Sequence, residues 1–167
     1  MNENKVSLIV TGLEILLPQT RSIDSVVQQL IQEAKREIHV AAYLLTKGAL
    51  HIIEQLERSA ENGIKITILV DHLEEQEYPI VRRLKSLATR PNVSVVSFCD
   101  PKGGHLHAKV LVVDRTKAVI GSANLSWGGM VTNYEIGVLV EGETAWKIAE
   151  IIDRLVMLAK QWSEEIT

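Results

Sequence analysis

The stretch at 37–45, EIHVAAYLL, constrains the fold of this chain more than any other. It is an almost continuous apolar run, the pattern of a strand buried on both faces of a sheet. Before it, Ile23, Val26, Val27, Leu30, Ile31 and Ala34 recur at helical spacing, behind Ser22 or Asp24 as a cap. After it, Thr46 is placed to cap a second helix, which Asn62 and Gly63 stop. A strand over 64–70 follows, then a helix over 79–89 with acids before it and Arg90 behind it, as the helix dipole prefers. Pro91-Asn92 turns the chain into a strand over 93–98. Strands alternating with helices suggest an α/β architecture with helices on both sides of a sheet.

Beyond residue 100 the pattern changes. Strands over 106–113, 118–121 and 135–140 crowd together, and a helix over 143–162 with a broad apolar face closes the chain. At the start, a strand over 5–10 is followed by Gly12 and a second extended piece over 13–17. The expectation is an α/β sandwich, a mixed and largely buried β-sheet flanked by helices, in one domain over 1–167. Linkers, low-complexity tracts and internal repeats are absent from the sequence.

Charge and cysteine usage remove several functions. The single cysteine, Cys99, excludes a disulfide framework and any multi-cysteine zinc site, and its apolar surroundings predict a buried core thiol. The apolar start is broken by Glu14 and lacks a small-residue cleavage site, so a signal peptide is not expected. No uncharged run reaches the roughly 18 residues of a membrane span, so a cytoplasmic protein without integral membrane association is expected. A net charge of −3 argues against a binder living on backbone charge, but not against an enzyme whose basic groups line a cleft.

The chemistry concentrates at 105–124, HLHAKVLVVDRTKAVIGSAN. On a strand His107 and Lys109 point to one face while Ala108 points to the core. Ser122 and Asn124 repeat that spacing behind Gly121, which permits close backbone approach. An imidazole, an ammonium, a hydroxyl and an amide facing one anion suit phosphoryl chemistry. A metal needs three or four convergent ligands. His105, His107 and Asp114 are the candidates, and Lys109 beside them repels a cation, so the reading is metal-free and without cofactor. Ser122 as nucleophile lacks the G-x-S-x-G elbow. His39 reads as a satisfied core or sheet-face histidine. Asp71 and His72, just past a strand end where open α/β sheets place ligands, read as a loop cap and a solvent-exposed histidine.

The pattern H-x-K-x4-D-x6-G-S-x-N, carried by His107, Lys109, Asp114, Gly121, Ser122 and Asn124, resembles the HKD motif of the phospholipase D superfamily, which includes small bacterial endonucleases. The stretches 38–46 and 63–71 are similar to the family's early strands, and Asn133-Tyr-Glu135 to its downstream Asn-x-Glu. The resemblance implies a metal-independent phosphodiesterase of phospholipase D-like fold. His107 would form a phosphohistidine, Lys109 and Asn124 would hold nonbridging oxygens with Ser122 nearby, Glu135 would hydrogen-bond His107, and Asp114 would support. Two histidines are needed and one motif occurs, so the resemblance also implies a homodimer with the active site shared between two chains. The substrate expected first is nucleic acid, DNA or RNA. A phospholipid phosphodiester, or a nonenzymatic nucleic-acid-binding role, stands as the alternative. His105 lines the cleft or faces solvent. Trp127 stacks on a base, presses into lipid or anchors the core, in a loop that Gly128-Gly129 reads as mobile or tightly packed.

Overall fold

The computed structural model describes residues 3–165, without the side chain of Glu165. In chain order it contains β1 (Lys5–Thr11), β2 (Arg21–Ser22), α1 (Ile23–Glu33), β3 (Glu37–Ala42), α2 (Leu50–Glu61), β4 (Lys65–Asp71), α3 (Tyr78–Leu87) and β5 (Val93–Phe98). There follow β6 (Lys109–Val113), β7 (Lys117–Gly121), β8 (Glu135–Glu141) and α4 (Glu143–Glu165). One eight-stranded sheet runs in the order β2-β1-β8-β7-β6-β3-β4-β5. β3, β4 and β5 pair in parallel, while β6, β7 and β8 join them through antiparallel ladders. The mixed α/β sandwich expected from the sequence is the fold observed.

Alternation along the central strands divides the core in two. Ile38, Val40 and Ala42 of β3 pack with Val26, Val27 and Leu30 of α1 and with Ile52, Ile53 and Leu56 of α2. Ala41 of β3 and Leu69 of β4 face the other way, onto Ala145, Ala149, Ile152, Val156 and Ala159 of α4. That three- and four-residue spacing is one apolar stripe, and its small residues bring α4 close to the sheet. Ser22 caps α1 as expected, its Oγ accepting the Ser25 N–H at 3.1 Å.

Three local expectations fail. Residues 13–17 form turns rather than an extended piece, with Ile15, Leu16 and Leu17 exposed by 87, 75 and 54 %. Thr46 makes no side-chain cap, because a short 3-10 turn, Lys47–Ala49, intervenes before α2. Cys99 is exposed, lying one residue beyond the end of β5, where the strand's burial has ended. Of the two readings of the segment after Asn124, mobile or tightly packed, the second holds: it is a wide helical turn, Gly128–Thr132. Its Gly129 is buried so tightly that a Cβ there would lie 2.1 Å from the Asn124 carbonyl oxygen.

His39 is a buried sheet histidine, as its sequence context predicts. Its Nε2 lies 3.0 Å from Asp153 Oδ1, and its Nδ1 is buried without a partner. Burial pulls its pKa below the ordinary histidine value, although Asp153 and Glu37 pull the other way. The folded state therefore binds this proton less readily than the unfolded chain, and the His39 contribution to stability falls as pH drops below about 6.5. Between about pH 7.5 and 5.5 the thermal midpoint should lose less in His39→Gln than in the wild type, as differential scanning fluorimetry will read.

Candidate active site

The C-terminal ends of β1, β3, β4 and β7 and the N-terminal ends of β6 and β8 meet at one edge of the sheet. Lys109 opens β6 opposite Ala42, the last residue of β3. It shares its face with Leu111 and Val113, while Ala108 and Val110 pack toward α4. His107 precedes the strand rather than lying on it, in an extended segment that the ladder does not include. Lys109 Nζ nevertheless reaches back to His107, 3.2 Å from Nδ1 and 3.2 Å from the carbonyl oxygen. Tyr43, the residue after β3, packs its ring 4.4 Å from the His107 ring and 5.4 Å from the Lys109 ammonium. Sequence reasoning missed Tyr43. Its only signal was its place at the end of the buried run.

β7 delivers the second polar cluster. A Cβ on Gly121 would lie 2.5 Å from the Gly137 Cα, so only glycine lets β7 approach β8 here. The next residue, Ser122, accepts the Ile136 N–H at 3.1 Å and donates to Glu135 Oε2 in a short hydrogen bond. Asn133 donates to the other Glu135 oxygen at 3.1 Å. The Glu135 carboxylate thus bonds Ser122 and Asn133 rather than His107, whose ring is held by Lys109 and Tyr43. Burial pulls the Lys109 pKa below the ordinary lysine value, opposed by the Glu135 charge. Asn124 is fixed through its backbone: the Ser126 N–H donates to its carbonyl oxygen at 2.9 Å and Gly129 packs against it. Its Oδ1 is buried with no hydrogen-bond partner, which native structures mostly avoid.

Asp114 faces away from this cluster. It lies at φ 52° in the turn between β6 and β7, and its carboxylate accepts the N–H groups of Lys35, Arg36 and Glu37 at 2.8, 2.7 and 3.0 Å. Burial raises its pKa, but these three donors hold it below the usual carboxylate value. A supporting role fits, and the metal set of His105, His107 and Asp114 is dissolved. Asp114→Ala leaves three N–H groups at the entry to β3 without their acceptor. The expected cost is about 2 kcal/mol, a fall of about 4–8 °C in Tm for a chain of this size, measurable by calorimetry.

His105 turns instead to Asp71, Nδ1 to Oδ2 at 2.9 Å, and His72 Nδ1 lies 2.9 Å from the same oxygen. Asp71 is buried and caps the loop before β6 by accepting the Leu106 N–H, and His72 is tied to it rather than free in solvent. The adjacent Asp-His pair at a strand end was the available signal for this cluster. Trp127 packs its Cβ against Gly48 while the residue stays 55 % exposed, which removes the core-anchor reading.

The family model described as cardiolipin synthase, PLD-like domain, matches residues 27–156. The chain belongs to the phospholipase D superfamily of phosphodiesterases. The DISARM protein DrmC of Bacillus paralicheniformis is 32 % identical over 155 residues, covering 92 % of this chain and 64 % of DrmC. The 5'-3' exonuclease PLD3 of Rattus norvegicus is 30 % identical over 89 residues, 53 % of this chain and 18 % of PLD3. This phospholipase D-like chain therefore spans under two thirds of the length of those curated relatives. Its fold matches Nuc, a phospholipase D family member from Salmonella typhimurium, with a TM-score of 0.74 at 20 % identity, covering 91 % of this chain and 93 % of Nuc. Among the described residues no helix is long and apolar enough to cross a membrane.

Proposed function

We propose that the chain hydrolyses phosphodiester bonds in nucleic acid, without metal, through a phosphohistidine on His107 at a site completed by a second copy of the chain. The observation that carries the reading is the junction of His107, Lys109 and Tyr43, with Tyr43, Lys109 and Asn124 lining one cavity, where the Asn124 Nδ2 is the amide atom able to donate to a phosphate oxygen. In the free site Lys109 donates to His107 Nδ1, which leaves the proton of a neutral ring on Nε2. An arriving phosphate competes for the ammonium. Once Lys109 and Asn124 hold its nonbridging oxygens, Nδ1 takes the proton and Nε2 is free to attack.

In the first half-reaction Nε2 bonds to phosphorus, the bond to the leaving oxygen breaks, and that oxygen takes a proton from the partner subunit's His107. In the second, that same histidine takes a proton from water, whose oxygen attacks phosphorus and releases His107. The likeness to a 5'-3' exonuclease supports a nucleic acid substrate. A second copy is supported by an apolar strip next to the site. Val6 and Leu8 of β1, Ile120 of β7 and Ile136 of β8 share one face of the sheet and are exposed by 60, 44, 37 and 59 %. The Ile136 backbone is bonded to Ser122 itself. Burying such a patch against its twofold copy is how isologous dimers form.

One observation favours a second reading, a phospholipid head group. Ile15, Leu16 and Leu17 follow β1 at the same edge of the sheet as the site and stand exposed, as does Trp127. Cleavage of single- and double-stranded DNA, RNA and phospholipid vesicles, all in excess chelator, decides between them. Turnover of nucleic acid alone supports the first reading, and turnover of phospholipid alone replaces it with the second.

A further inference from the structure

The end of β4 gathers metal-ligating groups that phosphoryl transfer at His107 does not use. Asp71 closes the strand with its side chain 4 % exposed, and its Oδ1 accepts the Leu106 N–H at 2.7 Å. Its Oδ2 faces Nδ1 of His72 and Nδ1 of His105, each at 2.9 Å, and the two rings lie 5.2 Å apart. All three donor atoms fall within 4.8 Å of one another. His72 adopts φ 41°, a left-handed conformation costly to a residue with a Cβ, in the tight turn that follows β4. The side chains of His72 and His105 are 27 and 57 % exposed, so the cluster opens outward.

We propose that Asp71, His72 and His105 bind a divalent transition metal of the zinc class through Oδ2 and the two Nδ1 atoms, with an outer position open to water or an anion. Two imidazoles and one carboxylate are a recurrent donor set for such ions, three protein ligands plus one open position. Bonds of about 2.0–2.1 Å in tetrahedral geometry separate ligand atoms by roughly 3.3 Å, so the 2.9 Å contacts need open only by tenths of an ångström. On binding, each neutral ring moves its proton from Nδ1 to Nε2, and no proton need be lost. The Leu106 N–H then serves as the outer hydrogen bond that orients a ligating carboxylate. Lys109, which repels a cation from His107, is not bonded to this cluster but to His107 two residues along. The site stands whichever phosphodiester is cleaved, and binding is read without turnover.

Chelator-treated full-length chain is titrated with Co²⁺, whose visible absorption reports a low-coordinate nitrogen and oxygen site, and Zn²⁺ is then added. One equivalent per chain should develop the band and Zn²⁺ should quench it. His72→Ala and His105→Ala should each weaken binding by more than about 10–100-fold, the loss typical of changing only an outer partner of a metal ligand, whereas His107→Ala should keep the band. Wild-type Tm should rise with Zn²⁺, and that of His72→Ala should not. The absence of a band, a band that survives in both His72→Ala and His105→Ala, or one lost in His107→Ala overturns the proposal.

Discussion

His107→Ala abolishes phosphodiester cleavage in excess chelator and leaves the folded state intact. The two halves of this expectation have separate grounds. His107 is exposed, precedes β6 and contributes no ladder hydrogen bond, so truncating it leaves both core clusters complete. Its ring is the group in the cluster that can attack phosphorus, given that Lys109 is bonded to the ring itself and Ser122 to Glu135. Losing a nucleophile typically costs on the order of 10⁶ in kcat, with residual catalysis from binding and oxyanion donors alone. The readout is product release on the preferred substrate, beside circular dichroism and Tm. An acid-labile, base-stable phosphoryl label on the wild type, missing from His107→Ala, identifies the intermediate. Cleavage that survives the substitution sinks the mechanism, and a lowered Tm would move the effect to folding.

The second large effect concerns the copy number of the site. If one cleft uses His107 from each of two chains, a heterodimer of one wild-type chain and one His107→Ala chain has a nucleophile or an acid but never both. Co-expression with two affinity tags isolates that heterodimer. Its activity should fall to the level of the doubly substituted dimer, whereas two independent sites would leave about half. Leu8→Asp and Ile136→Asp place a charge in the apolar strip and should give monomers by light scattering, with activity lost alongside. A monomer that remains active removes the shared site from the scheme while leaving the His107 chemistry to stand on the first experiment.

The parts of this molecule that sequence made legible are those with a local cause. The apolar run that became β3, the α1 stripe behind Ser22 and the stop at Asn62-Gly63 each carry their reason within a dozen residues. The two polar clusters of the site were legible for the same reason, as spacing within one stretch. What failed was decided at long range. Residues 13–17 are apolar yet stand in solvent, and apolarity alone does not distinguish a buried strand from a surface awaiting a partner. The Thr46 cap gave way to a turn in which the Lys47 N–H donates to Glu77, 30 residues away. The Asp71 cluster joins His105 across 34 residues, and Glu135 reaches Ser122 across 13, so neither pairing shows as a spacing.

Asp114 gives the motif an unequal division of labour with a consequence for genetics. Its carboxylate ties the β6–β7 turn to the backbone leading into β3, so its loss acts on the fraction of folded enzyme rather than on each turnover. Cells carrying Asp114→Ala should behave as a conditional allele, active in the cold and null when warm. The His107→Ala allele should be null at every temperature. A screen run at one temperature would score the two as the same class, although one removes the chemistry and the other only its scaffold.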